Sequence, residues 1–130
     1  MKALVQTDYG AFAVDLETEE IEPAGPSDVR SSEPLSLSLP RVLASAAAGS
    51  TVVAVVDRRP PLVVSHDAGI TWRETGGGLP PGNDVAVAED NPDLIVYASR
   101  NRLHVSTDGG VFWRALSVEL PEIEALSLEG

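Results

Sequence analysis

The chain has 130 residues, and its 20 carboxylates against nine basic residues give a formal net charge of −11. A surface of that sign repels nucleic acid and anionic lipid, so neither a nucleic acid nor a membrane is expected as a partner. Cysteine is absent, which excludes a disulfide framework and a thiolate metal site, while 43% hydrophobic residues suffice for a single domain with a core.

No apolar run reaches the roughly 18 residues of a membrane span, and Met1 to Asp8 lacks the apolar stretch of a signal peptide. A soluble, cytoplasmic protein is the expectation.

In chain order, Ala3-Leu4-Val5-Gln6-Thr7 reads as a strand, Tyr9-Gly10 as a tight turn and Ala11-Phe12-Ala13-Val14 as the next strand. Asp15 to Ile21 leads to an outer strand. Residues 23–38 are rich in Pro, Ser and Gly, offer little to bury, and read as a loop. Short strands follow at Val42-Leu43-Ala44, Thr51 to Val55 and Leu62-Val63-Val64. The next set comes at Val85-Ala86-Val87-Ala88, Leu94 to Ala98 and Leu103-His104-Val105, with an outer strand from Trp113 to about Val118. Ile123 to Leu128 is the last.

Two of these sets are repeats. Ser65-His66-Asp67-Ala68-Gly69-Ile70-Thr71-Trp72 recurs 41 residues later as Ser106-Thr107-Asp108-Gly109-Gly110-Val111-Phe112-Trp113. Val42-Leu43-Ala44 aligns with Val85-Ala86-Val87, and Thr51 to Val55 with Leu94 to Ala98, at an offset of 43. Two extra residues in Asp57-Arg58-Arg59-Pro60-Pro61 restore the offset of 41. The N-terminus holds a worn copy without the Ser-Asp-Gly-Trp motif, and Ile123 to Leu128 is an innermost strand with no copy of its own.

The motif S-x-D-x-G-x-[TF]-W resembles the Asp-box, or bacterial neuraminidase repeat, of sialidases, sortilin-type sorting receptors and a photosystem II assembly factor. The resemblance implies an all-β fold, a β-propeller of four-stranded antiparallel blades at about 40–45 residues each. It also implies that Ser65, Asp67, Gly69, Thr71, Trp72, Ser106, Asp108, Gly110 and Trp113 are structural, with each Asp accepting backbone N–H bonds inside its own turn. Blade 1 would comprise 1–22 plus 122–129, blade 2 would run over 39–78 and blade 3 over 79–119. Three blades are too few for a ring, so a homodimer is expected, completing six blades with the terminal strands exchanged. The alternatives are a piece of a longer propeller and a higher closed oligomer. The acidic composition, with Lys2 as the one lysine, resembles that of haloarchaeal-type proteins.

Catalytic residues do not emerge. A sialidase resemblance would require an arginine triad, a tyrosine with a glutamate partner and an Arg-Ile-Pro-like motif. The chain has Leu39-Pro40-Arg41-Val42 instead, and neither Tyr9 nor Tyr97 has an identifiable glutamate. His66 and His104 are not equivalent positions, and no metal or cofactor motif is present. One pattern stands out: the turns between second and third strands hold Arg58, Arg59, Arg100 and Arg102, equivalent in the repeats and on the face where propellers carry their blade connections. They are candidate ligand-binding residues for an anionic group. The expected function is a non-enzymatic binding or scaffold module with a protein or anionic small-molecule partner. The alternative is a glycosidase- or sialidase-like hydrolase whose site forms only in the assembled ring.

Overall fold

The computed structural model describes residues 1–24, 42–57 and 60–129. Twelve strands appear among them: β1 Lys2–Thr7, β2 Gly10–Asp15, β3 Ile21–Ala24, β4 Val42–Ala48, β5 Thr51–Val56, β6 Leu62–Ser65, β7 Arg73–Thr75, β8 Gly82–Val87, β9 Ile95–Ser99, β10 Leu103–Ser106, β11 Arg114–Ala115 and β12 Ile123–Glu129. They form three four-stranded antiparallel sheets: β12-β1-β2-β3 (blade 1), β4-β5-β6-β7 (blade 2) and β8-β9-β10-β11 (blade 3).

Strand alternation assigns each side chain a neighbour, because successive residues point to opposite faces of a sheet. In β9, Ile95 and Tyr97 pack with Val53, Val55, Leu62 and Val64 of blade 2. Val96 and Ala98, one residue out of phase, pack with Ala3, Val5, Val14 and Leu126 of blade 1. Blade 3 is therefore the middle layer, buried on both faces, which is why β9 and β10 read as continuous buried runs. Each fully buried Val or Leu contributes about 1.5–3 kcal/mol.

The innermost strand of blade 1 comes from the other end of the sequence. β12 pairs with β1 from Lys2↔Glu129 to Thr7↔Ile123 within one chain. Within this chain β12 supplies the fourth strand of blade 1. The connection into β12 is pinned on the same molecule, by Leu120 N–H donating to the Asn101 carbonyl and Ile123 N–H to that of Arg100, which delivers β12 to its own β1.

The innermost strands also correct the repeat register. Ser45 lies opposite Ala54 and Val85 opposite Tyr97, so Ser45, not Val42, is the counterpart of Val85, at an offset of 40. The β4–β5 turn holds only Gly49-Ser50 between paired residues, whereas Ala88 closes on Leu94 across 89–93. A polar turn three residues longer moves the offset to 43 only after the innermost strand. All three innermost strands carry a bulge at one position, between Val42 and Ala44, Gly82 and Asp84, and Ile123 and Ala125. The outer strand of blade 3 is shorter than expected, at Arg114–Ala115.

Candidate functional site

The repeated turns link strands three and four of blades 2 and 3. Ser65 Oγ donates to Asp67 Oδ1 at 2.7 Å and accepts the Gly69 N–H at 2.8 Å. Asp67 Oδ1 accepts the Thr71 N–H at 2.8 Å and its Oδ2 the Thr71 hydroxyl at 2.5 Å. Blade 3 repeats this: Ser106 Oγ donates to Asp108 Oδ1 at 2.7 Å and accepts the Gly110 N–H at 2.9 Å, and Asp108 Oδ1 accepts the N–H groups of Val111 and Phe112. The hydroxyl and N–H of Thr71, with Ser65, hold the Asp67 carboxyl down to about 2, because all three bonds favour the anion. Asp108 is lowered likewise, first by the Phe112 N–H and Ser106. These bonds tie each carboxylate to its own turn, Asp67 through both oxygens and Asp108 through Oδ1.

Each turn also leans on the hairpin of its own blade. Ala68 N–H donates to the Ser50 carbonyl at 2.9 Å and Gly109 N–H to that of Asp93 at 3.0 Å. In blade 1 Leu16 N–H donates in the same way to Met1. The worn copy has kept an aspartate brace in a different frame: Asp15 Oδ1 accepts the N–H groups of Glu17 and Thr18. The sequence pattern for Asp15 is ordinary for a turn, so no motif revealed it.

The joint of blades 2 and 3 is sealed by the motif's Trp113 together with Tyr97, which lies outside the motif. Trp113 and Tyr97 meet edge to face, and Tyr97 donates its hydroxyl to the Pro80 carbonyl at 2.7 Å. Burial pushes the Tyr97 phenol up to about 12, so it is no nucleophile at neutral pH. Ser99 donates to the Arg102 carbonyl, so His104 donates from Nε2 to Ser99 Oγ at 3.1 Å, leaving Nδ1 a buried acceptor without a partner. Burial, then the Arg102 charge, holds the His104 pKa below its usual range, and the ring is a neutral packing residue.

At the joint of blades 3 and 1, Asn83 Nδ2 donates to the Ile123 carbonyl at 2.8 Å, and Asp84 Oδ2 accepts the Leu126 N–H at 3.0 Å. Asp84 is the one buried carboxylate among the described residues, and burial raises its pKa. Asn83 and Asp84 sit at the bulge of β8, a position whose meaning is not legible without the neighbouring strand. On the outside, Glu19 accepts the N–H and hydroxyl of Ser117, while Arg114 donates to the Leu16 carbonyl.

The face carrying the blade connections holds an open groove of about 540 Å³ lined by Pro60, Pro61, Gly77, Gly78, Leu79, Pro80 and Pro81. The turn after β5 and the connection from β7 to β8 form its two sides, and Leu79 N–H closes a tight turn on the Gly76 carbonyl. Of the four candidate arginines, Arg58 and Arg59 lie outside the described residues. Arg102 is committed, its guanidinium donating to the Leu116 carbonyl and to Glu119, both at 3.0 Å. Arg100 has a side chain 81% exposed and one ion pair, with Glu122 at 3.5 Å. Exposed pairs of this kind contribute under about 1 kcal/mol, so Arg100 is free to exchange partners. The two described arginines point to one segment, 116–122, without converging on a shared pocket.

No protein-family model matches the chain, and no curated protein does. Among solved structures, the Niastella koreensis GH74 enzyme superposes on 92% of the chain with a TM-score of 0.52 at 19% identity. The YCF48 protein from Cyanidioschyzon merolae covers 91% at 21% identity and a TM-score of 0.48, and a YCF48 bound to D1 peptide covers 82% at 19% and 0.47. The chain spans 18% of that GH74 enzyme and 33% and 35% of those YCF48 chains. The fold is that of a β-propeller, with three blades in this chain.

Proposed function

We propose that this chain is a non-enzymatic binding or scaffold module that receives its partner on the face of the blade connections. The single observation carrying this reading is the groove between the turn after β5 and Gly77–Pro81. Preformed clefts of a few hundred Å³ at such a position are where ligands are usually taken. The sealed Tyr97, and Asp67 and Asp108 bound within their own turns, support a role without catalysis. Arg100, exposed and weakly held beside this face, favours an anionic small molecule or an acidic protein segment.

The test is a titration of the 15N-labelled protein with tripolyphosphate and with a poly-glutamate peptide. Shifts confined to Gly77–Gly78 and Ser99–Arg102, lost in Arg100→Ala, are the expected result. No shifts, or shifts unchanged in the variant, would overturn the assignment. Release of product from a fluorogenic sialoside would favour the hydrolase instead. The two-chain ring stands with this proposal, and solution mass by light scattering tests it: a monomer at both high and low salt would reject it.

A further inference from the structure

The opposite face carries the β4–β5 and β8–β9 turns together with the repeated aspartate turns. Three large apolar side chains stand out from it: Ile70 is 81% exposed, Phe112 77% and Val111 50%. The turns do not require them. Ser65, Asp67 and Gly69, and their counterparts Ser106, Asp108 and Gly110, supply the bonds and conformations, while residues 70, 111 and 112 contribute only backbone N–H groups. The position of Phe112 accommodates a polar residue in this very chain, since Thr71 occupies it in blade 2.

The two turns adjoin. A Cβ on Gly109 would lie 3.1 Å from Cε1 of His66, so the tips of blades 2 and 3 belong to one continuous surface. Each tip is held by three or more internal hydrogen bonds, so its apolar side chains are anchors presented at little entropic cost. The tip segments of this face carry the exposed Glu89, Asp90, Asp93 and Asp108, while the exposed Arg73 and Arg114 follow the two aspartate turns. An apolar set of anchors in an acidic surround complements a segment of opposite charge and repels anionic lipid.

We propose that Ile70, Val111 and Phe112 form a docking surface for a basic protein segment bearing apolar side chains, separate from the groove on the other face. The probes are a fluorescein-labelled amphipathic Lys/Leu peptide, its Glu/Leu counterpart and phosphatidylcholine vesicles, each added to the intact protein and to the Ile70→Ser/Phe112→Thr variant. An unchanged melting temperature establishes that the variant folds. The Lys/Leu peptide is expected to bind the native protein and to bind the variant about tenfold more weakly, the scale of losing buried apolar anchors. Equal binding to both proteins would reduce the effect to charge alone and overturn the proposal. So would equal binding of the Glu/Leu peptide, no binding of either peptide, or association with the vesicles in its place.

Discussion

Trp113 of blade 3 donates its indole N–H to the hydroxyl of Thr75 in blade 2 at 3.0 Å, and Thr75 in turn donates to the carbonyl of Gly110. One hydroxyl thus joins the outer strand of one blade to the aspartate turn of the next. Thr75→Val keeps the shape, strands the indole N–H and leaves the Gly110 carbonyl unpaired. It should cost about 1–3 kcal/mol, read as a lower urea midpoint at constant m-value, while Thr75→Ser should stay within about 1 kcal/mol. Equal losses in both variants would show that the hydroxyl is not what holds the joint.

Asp67 predicts a pH dependence. With its carboxyl held near 2 against an ordinary 3.8, its contribution is complete above 3.8 and drains away as pH falls towards 2. Between pH 4 and 2 the native protein should therefore lose more stability than Asp67→Asn, whose side chain does not titrate. Parallel acid-unfolding curves would remove Asp67 from the account.

Three small residues separate turn geometry from packing. A Cβ at Gly82 would overlap the Ala98 carbonyl and the Tyr97 phenol, so Gly82→Ala should cost more than about 2 kcal/mol. Gly77, with open space around its Cβ, should accept alanine without loss. Ala68 sits at φ 59°, where its counterpart Gly109 sits at 73°. Ala68→Gly should therefore stabilise by up to about 1 kcal/mol, measured by thermal unfolding.

The acidic surface predicts a response to salt. Self-repulsion among 20 carboxylates outweighs the few exposed ion pairs, so the melting temperature should rise as potassium chloride goes from about 0.1 M to about 1 M, where the screening length falls from about 10 Å to about 3 Å. A fall would mean that pairs such as Lys2–Glu22 and Arg102–Glu119 matter more than the net charge.

Much of this fold was legible because the repeated turn is local. Ser65, Asp67 and Gly69 bond within five residues, so spacing alone exposed them, and from them the blade period followed. The β8 offset is hidden in the sequence because the 89–93 turn absorbs three residues that leave no mark on the flanking apolar pattern. Thr75, Asn83 and Asp84 act across blades, 35 to 42 residues from their partners, and nothing in their immediate sequence distinguishes them. For the arginines, matching positions in the sequence did not distinguish Arg102, bound by its own connection, from Arg100, held by one exposed ion pair.

The three-blade architecture depends on β12 closing blade 1 within one chain. Because the chain has no cysteine, the pair Ala3→Cys/Leu128→Cys, partners in the β12–β1 register, reports this directly. Mild oxidation at low concentration should give a cross-linked monomer that migrates faster under non-reducing conditions and melts higher than its reduced form. A covalent dimer as the main product would place β12 in a second copy and contradict the account.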